Sequence, residues 1–168
     1  MTYLNRDLTF EEQAAMVAVL EGLQHAIGYE FEDKDLLFTV CLPRLSQERE
    51  FVFNRLEELG DNMYDAVLAS EYYFKYPELN GRGIALPIHQ IVSNKQMKED
   101  VLAKGFDAYF HFFSGFPKRR LSDHFEALLG AVYVDGGFNA LSKVVVGNLL
   151  HELEDKEHYW ELLHNKKR

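Results

Sequence analysis

Apolar residues recur at helical intervals along most of the chain. The first clear run predicts one helix face through residues spaced four, three and four apart: Met16, Leu20, Leu23 and Ile27. Thr9 and Glu12 form the T-x-x-E pattern of a capping box just before this run, and Gly28 stands where a glycine commonly ends a helix. The pattern therefore predicts an amphipathic helix between Thr9 and Gly28.

The next two predicted helices differ greatly in length. A short one follows Asp33 and turns Leu36, Leu37 and Val40 inward. The stretch 51–76 has one glycine and no proline. It predicts a helix of about 25 residues, which is long for a globular protein and should run through the centre of the domain. Its predicted buried positions are Leu56, Leu59, Met63, Val67 and Phe74.

The rest of the chain predicts helices separated by helix-breaking residues. Pro77 ends the long helix, and the N-G-R-G segment at 80–83 is typical of a loop. The helices predicted beyond it are two or three within 84–113 with Pro87 near the start of the first, one over 122–134 that ends at Asp135-Gly136-Gly137, and a final one over 139–164. Period-two alternation is nearly absent, so the pattern predicts an all-α domain of about 7–9 helices around the long central one.

Composition narrows the class of protein. A length of 168 residues fits one domain, and a hydrophobic fraction of 47% argues against disorder. The first residues lack the apolar core of a signal peptide, and no run approaches the ~20 apolar residues of a membrane helix. Cys41 is the single cysteine, which leaves no internal disulfide and no thiolate metal cluster. We therefore expect a soluble intracellular protein, in the cytoplasm or the nucleus, with no membrane association.

Net charge argues against nucleic-acid binding. The chain carries a formal charge of −9, whereas nucleic-acid binders usually present a basic face that neutralises phosphates. Basic residues are dense at 118–120 and again at 166–168. A solvated loop and a frayed tail are the plain interpretations of these clusters. The first cluster carries more weight, because it directly precedes an acidic motif.

Two acidic pairs have spacings that bring their side chains to one helix face. Glu57 and Asp61 are four residues apart in the long helix, and Asp123 and Glu126 are three apart in a later one. If the two helices pack together, four carboxylates converge, and two such charges ~4 Å apart repel by about 4 kcal/mol at an effective dielectric of 20. A hard divalent cation removes this conflict. Spacing alone is more typical of solvated surface acids, so sequence context must decide.

That context resembles the ribonuclease III family in two separate motifs. Residues 54–77, N-R-L-E-E-L-G-D-N-M-Y-D-A-V-L-A-S-E-Y-Y-F-K-Y-P, resemble the family signature E-R-L-E-F-L-G-D-[AS]-V-L followed by a helix ending in F-P. Residues 119–137, R-R-L-S-D-H-F-E-A-L-L-G-A-V-Y-V-D-G-G, are similar to K-x-L-A-D-x-F-E-A-L-I-G-A-I-Y-L-D-G-G. Weaker matches at 27–37 and 91–94 extend the resemblance over roughly residues 20–150.

The resemblance implies an Mg²⁺- or Mn²⁺-dependent endoribonuclease that cleaves double-stranded RNA as a dimer, leaving 5′ phosphates and 3′ overhangs. Carried over by position, the implied metal ligands are Glu57, Asp61, Asp123 and Glu126. Asp61 and Glu126 are the implied catalytic residues, and Glu126 is the one most critical for the rate. The implied RNA contacts are Lys118, Arg119 and Asn94, of which Asn94 is also a polar support near the metal site.

The chain also departs from the family pattern. Asn54 replaces the usual first Glu of the signature, and Glu58 replaces an apolar residue that anchors the dimer in bacterial members. A charge cannot fill an apolar socket without a partner, so we expect a dimer interface that involves Glu58 and Asn54 but differs from the bacterial one. We expect the endonuclease domain over residues 1–155 and the end of the last helix with a basic tail over 156–168, with no double-stranded-RNA-binding domain following.

Other interpretations remain open at this stage. A catalytically weak or silent copy of the fold could act as a structural RNA-binding or dimerisation partner in an RNA-processing or ribosomal complex. A heterodimer with another ribonuclease III chain, or a helper protein that supplies RNA affinity, would also fit. His124 fits either the core or the edge of the metal site, and the aromatic run at 106–116 fits core packing better than base stacking.

Overall fold

The structure, a computed structural model, describes residues 8–43, 46–112 and 119–149. Those ranges contain seven α-helices and no strand, which confirms the predicted all-α class: α1 Phe10–Ile27, α2 Lys34–Cys41, α3 Gln47–Lys75, α4 Gly81–Ile91, α5 Asn94–Ala103, α6 Asp107–Phe110 and α7 Leu121–Val144. A π-helical turn, Val145–Leu149, continues α7. Among the described residues, no helix is both long enough and apolar enough to cross a membrane.

Side-chain caps set the ends of the first two helices as predicted. Thr9 Oγ1 accepts a hydrogen bond from Glu12 N at 3.2 Å, and the Glu12 carboxylate accepts one from Thr9 N at 2.9 Å. Gly28 ends α1 at φ +66°, a left-handed conformation that favours glycine. The Asp33 carboxylate accepts from Asp35 N at 3.0 Å and begins α2. The predicted inward residues of α1 are buried or half-buried.

Helix α3 is longer than predicted and buries a slightly different stripe. It begins at Gln47, because Ser46 Oγ accepts a hydrogen bond from Arg49 N and caps the helix. Leu56 and Val67 are buried as predicted, and Leu59 and Met63 are half-buried. The prediction for Phe74 is wrong, since its side chain is 79% exposed. The buried stripe at this end of α3 steps by four residues: Tyr64, Leu68, Tyr72 and Tyr76.

The N-G-R-G segment is the start of α4 rather than a loop. Asn80 is the N-cap residue, and its side-chain oxygen accepts a hydrogen bond from Gly83 N at 3.0 Å. The helix therefore begins at Gly81, and Pro87 lies in its interior instead of near its start. The two glycines predicted a loop, but the Asn80 side chain pairs with the backbone N–H of Gly83 in the first turn, and the helix forms although both glycines lie in it.

The predicted end of the helix over 122–134 is confirmed, because α7 consists of two helical segments separated by a kink. The predicted stop at Asp135-Gly136-Gly137 is a break at Gly137 (φ +74°, ψ −174°), after which the helix resumes. Asp135 ties this break to the α1–α2 connection, because its carboxylate accepts hydrogen bonds from Tyr29 Oη, Glu32 N and Asp33 N at 2.8–2.9 Å. The structure describes the predicted final helix only as far as Leu149, and the remainder of that helix lies outside the described residues.

Helices α3 and α7 cross with their backbones in contact, and two glycines permit it. A Cβ placed on Gly60 would overlap the carbonyl oxygen of Glu126, and one placed on Gly130 would overlap the carbonyl oxygen of Leu56. Gly60 lies between Glu57 and Asp61, so the crossing brings the first turns of α7 against the acidic turn of α3. Any larger residue at either glycine must push the two helices apart.

We predict that Gly130→Ala lowers the free energy of unfolding by about 2 kcal/mol or more, because the added methyl group meets backbone that cannot rotate away. The matched control is Gly81→Ala, where a Cβ meets nothing within 4 Å. Alanine has the higher helix propensity, so this control should change stability by no more than about 1 kcal/mol and in the favourable direction. Denaturant unfolding measures both. Equal effects of the two substitutions would contradict the described crossing.

Candidate metal centre

Three of the four predicted acidic ligands converge where α3 crosses α7. One carboxylate oxygen from each of Glu57, Asp123 and Glu126 lies within 4.8 Å of the others. Asp61 is one turn further along α3 and is exposed, and its negative charge acts on Glu126. The structure thus brings together Glu57, Asp123 and Glu126, whereas Asp61 is exposed and lies outside this group of three.

The cluster is unusually buried for acidic residues. Asp123 is 5% exposed and Glu126 is 8% exposed, while Glu57 is half-buried. Burial raises the pKa of Glu126 to about 8, and the neighbouring charges of Asp61, Glu57 and Asp123 act in the same direction. Burial and the charge of Asp123 also raise the pKa of Glu57, against the opposing charges of Arg119 and Arg120. Without a cation, the site therefore resists full ionisation.

The donor set fits a hard divalent cation. All candidate donors are carboxylate oxygens, which Mg²⁺ and Mn²⁺ prefer over nitrogen or sulfur ligands. Glu57, Asp123 and Glu126 are close enough together to share one ion, and Asp61 borders them on the exposed side. A bound cation would offset both the mutual repulsion and the burial that raise the pKa of Glu126.

Two arginines that directly precede α7 lie against the acids. Arg120 Nε is 3.0 Å from Asp123 Oδ1, and the Arg120 side chain is 69% exposed. Arg119 Nη1 is 3.4 Å from Glu57 Oε2, and its side chain is only 16% exposed. The basic cluster that the sequence suggested for RNA thus supplies two counter-charges to the acidic cluster.

The other predicted site residues are more scattered. Asn94 is exposed as the first residue of α5, and Glu58 is exposed on α3. Asn54 is exposed, and its Oδ1 accepts a hydrogen bond from Arg119 Nη2 at 2.6 Å. Lys118 lies outside the described residues. Asn54 is therefore joined within its own chain to the same arginine that contacts Glu57.

His124 belongs to the core. It is 2% exposed, its Nδ1 lies 2.7 Å from Val40 O, and its ring stacks on Phe110 at 5.0 Å. Burial lowers the pKa of His124 to about 4, against the opposing effect of the Val40 hydrogen bond, so the ring is neutral at pH 7. Of the aromatic run beside it, Phe106 and Phe110 are buried as predicted, whereas Phe112 is 49% exposed.

Three features of the site were absent from the sequence-based prediction. Glu50 pairs with Arg119 Nη2 at 3.2 Å, and the glycines Gly60 and Gly130 set the crossing. Glu50 lies seven residues before Glu57 and so shares its face of α3. Helical spacing could have identified it, but the predicted helix began at residue 51. The glycines gave no separate signal, because each lies inside a motif already explained by its acids.

The region that contains both acidic motifs matches a known protein family. A family model for the ribonuclease III domain matches residues 54–137. The protein named ribonuclease 3 of Symbiobacterium thermophilum is 31% identical over 133 residues, which cover 74% of this chain and 57% of the relative. Ribonuclease 3 of Azotobacter vinelandii is 29% identical over 148 residues, covering 83% of this chain and 63% of the relative. The chain thus spans about half to two thirds of the length of these relatives.

Solved structures agree in fold. The nuclease domain of ribonuclease III from Campylobacter jejuni superimposes with a TM-score of 0.64 at 21% identity, covering 77% of this chain and 95% of that one. That structure is described as showing structural flexibility in a region involved in dimer formation. A crystal structure of the same domain gives a TM-score of 0.63. At this identity, the likeness establishes the fold alone.

The raised pKa of Glu126 predicts how stability changes with pH. The pKa of the Glu126 carboxyl is about 8 in the folded protein and near 4.5 in the unfolded protein. The folded state is therefore more stable when this carboxyl is protonated. This stabilisation is fully present below pH 4.5 and is lost as pH rises through 8. The metal-free protein should therefore be less stable at about pH 9 than at about pH 5, by about 2 kcal/mol or more from this group.

Denaturant unfolding in a chelator at both pH values measures the effect. In Glu126→Gln the neutral amide cannot ionise, so this contribution should disappear and the loss between the two pH values should shrink. Adding Mg²⁺ should stabilise the wild type more at the higher pH, because the cation competes with the proton. An unchanged pH dependence in Glu126→Gln would contradict the assignment.

Proposed function

The chain belongs to the ribonuclease III family, and from that premise we propose that it is a metal-dependent endoribonuclease that cleaves double-stranded RNA. The proposed products carry 5′ phosphates and 3′ overhangs, and the proposed cofactor is Mg²⁺, with Mn²⁺ as a substitute. The observation that carries the proposal is the convergence of Glu57, Asp123 and Glu126 within 4.8 Å. A buried set of repelling carboxylates is costly to keep, and a cation site explains it.

The acidic residues of this centre have different proposed roles. A divalent cation, when bound, supplies Lewis-acid chemistry for phosphodiester hydrolysis. Glu57, Asp123 and Glu126 would hold it, and their burial keeps them in fixed positions on two packed helices. Asp61, which is exposed on α3, is the proposed fourth ligand and has a proposed catalytic role. We expect the rate to depend most on Glu126, the acid most perturbed by its neighbours.

The proposed RNA substrate is a duplex read mainly by its shape. Side chains recognise A-form RNA through phosphates and 2′-hydroxyls across the shallow groove rather than through base edges. The proposed contacts are Lys118, Arg119 and Asn94, of which Asn94 is exposed and Arg119 is engaged by the acids of α3. Because the whole chain carries −9, affinity for RNA should be modest and should fall steeply with salt.

A dimer is proposed because two centres are needed to cut both strands. The exposed face of α3 carries Glu58, Asn54 and Phe51, and the Phe51 side chain is 62% exposed. The Arg55 guanidinium lies 5.7 Å from the centre of the Phe51 ring and partly covers it. This mixture of charge and apolar surface fits a homodimer, or a heterodimer with another ribonuclease III chain, whose interface accommodates Glu58. A helper RNA-binding protein is a further proposed partner that would add affinity for RNA.

One observation favours a second candidate function. Arg119 and Arg120 pair with Glu57 and Asp123, so these two arginines offset part of the negative charge of the acidic cluster. The chain could therefore be catalytically silent and still retain these acids, and it would then act as a structural RNA-binding protein or as a dimerisation partner. The two functions differ in whether the purified chain cleaves RNA.

A cleavage assay tests the proposed activity. The wild type should cut a long RNA duplex in Mg²⁺, and Glu126→Gln should be slower by roughly a hundredfold or more, as when a group that stabilises a transition state is lost. The matched control is Glu71→Gln. Glu71 also lies on α3 and faces α7, where it accepts a hydrogen bond from Ser142 Oγ, but it lies outside the cluster. This control should retain near-wild-type activity.

Mapping the cuts on both strands tests the dimer in the same assay. Paired cuts offset towards the 3′ ends support two centres that act together, whereas isolated nicks support one. No cleavage by the wild type at low salt and high protein concentration would overturn the enzyme and favour the silent fold. Equal rates for the wild type and Glu126→Gln would show that the cut does not depend on this cluster.

A further inference from the structure

Arg119 is the most enclosed cation beside the acidic cluster. Its side chain is 16% exposed, and the guanidinium lies 4.9 Å from the centre of the Phe53 ring. Its carbonyl oxygen lies 3.1 Å from His111 Nε2, so the backbone is held as well as the side chain. Arg119 Nε is buried without a hydrogen-bond partner in the part of the chain that the structure describes. To reach a ligand in solvent, this side chain would have to give up these contacts.

The partners of Arg119 occupy one face of α3. Nη2 lies 3.2 Å from Glu50 Oε1 and 2.6 Å from Asn54 Oδ1, and Nη1 lies 3.4 Å from Glu57 Oε2. These three residues are spaced four and three apart, so one guanidinium spans two turns of the helix. The longest of the three contacts is the one to Glu57. Glu50 and Asn54 can therefore retain the arginine when Glu57 binds something else.

We infer that Arg119 is an internal counter-cation of the metal centre: anchored by Glu50 and Asn54, it holds Glu57 in the metal-free protein and competes with a divalent cation for that carboxylate. The inference rests on the proposed function, because it concerns the same site, and it goes beyond it by giving Arg119 a role towards Glu57 in addition to the proposed RNA contact. Arg119 is a positioning residue, since it acts through Glu57. Its fixed charge also lowers the affinity of the centre for cations.

The charge at this face of α3 explains why Glu50 matters. Asn54 contributes a short hydrogen bond to Arg119 but no negative charge. Glu50, one turn earlier, contributes the carboxylate that balances the guanidinium when Glu57 is engaged elsewhere. Without Glu50, the whole charge of Arg119 would act on Glu57, and a cation would have more difficulty in displacing it.

The inference predicts opposite effects of two substitutions on cation binding. Arg119→Gln removes the competitor, so Mn²⁺ should bind roughly tenfold more tightly, the order expected from one nearby charge that solvent partly screens. Glu50→Gln leaves Arg119 more firmly on Glu57, so Mn²⁺ should bind roughly threefold more weakly. If Glu50 acts through Arg119, its substitution should have little further effect in the Arg119→Gln background.

The measurement is a titration of each metal-free protein with Mn²⁺ alone, with free Mn²⁺ followed by electron paramagnetic resonance at constant ionic strength. The matched control is Arg49→Gln. Arg49 has the same kind of environment, with Asp35 at 2.6 Å, Thr39 Oγ1 at 2.8 Å and the Phe38 ring at 4.4 Å, but it joins α2 to α3 away from the cluster. Arg49→Gln should lower stability and leave the Mn²⁺ affinity unchanged.

A second readout is the melting temperature with and without Mn²⁺. Arg119→Gln should melt lower than the wild type in a chelator and gain more from Mn²⁺. If Arg119→Gln does not fold, the response of Glu50→Gln decides the matter alone. An unchanged affinity in Glu50→Gln would then overturn the inference.

The outcomes separate this inference from the proposed function. Unchanged or weaker Mn²⁺ binding in Arg119→Gln would overturn the inference, and a loss of duplex RNA binding alone would identify Arg119 as an RNA contact. If the wild type binds Mn²⁺ and cleaves RNA in either case, the proposed function stands without the inference. If the wild type binds no Mn²⁺ and cleaves no RNA, both are overturned.

Discussion

The close backbone contact between α3 and α7 determines where the acidic side chains of the two helices meet. Gly60 and Gly130 each face a carbonyl of the other helix, so the two axes approach more closely than side chains would permit. Because Gly60 lies between Glu57 and Asp61, the closest approach occurs at the acidic turn. The same contact that packs the core thus presses the carboxylates of two helices together, and the fold cannot relax their repulsion by moving one helix away.

Two features of the structure reduce the repulsion between these carboxylates. Burial and neighbouring charges raise the pKa of Glu126 to about 8, so protonation relieves part of the conflict. Arg119 and Arg120 relieve another part from the segment that precedes α7, where they pair with Glu57 and Asp123. A divalent cation bound by Glu57, Asp123 and Glu126, as proposed, would offset the same repulsion. Electrostatics therefore links the stability of the metal-free protein to its proposed chemistry.

Much of this arrangement could be predicted from local sequence signals, and the remainder depends on tertiary contacts. The capping box at Thr9 and the apolar spacing of α1 predicted a real helix, because caps and amphipathic faces act over a few residues. Phe74 was predicted to be buried but is exposed, because the buried stripe of α3 follows Tyr64, Leu68 and Tyr72 instead. Pro87 was predicted near a helix start but lies inside α4, because the Asn80 cap starts that helix at Gly81. The convergence of the acids needed the family motifs, since spacing cannot reveal that two helices cross. The pairing of Glu50 with Arg119 across 69 residues of sequence left no local signal.

A crystal structure determined in the presence of Mn²⁺ would show whether the acids of α3 and α7 form one divalent-cation site. Anomalous scattering locates Mn²⁺ without assumptions about coordination. We expect an anomalous peak bounded by the carboxylates of Glu57, Asp123 and Glu126, with Arg119 still in contact with Glu50. A cluster without a peak while Mn²⁺ occupies other sites, with Arg119 and Arg120 still paired to Glu57 and Asp123, would contradict this expectation.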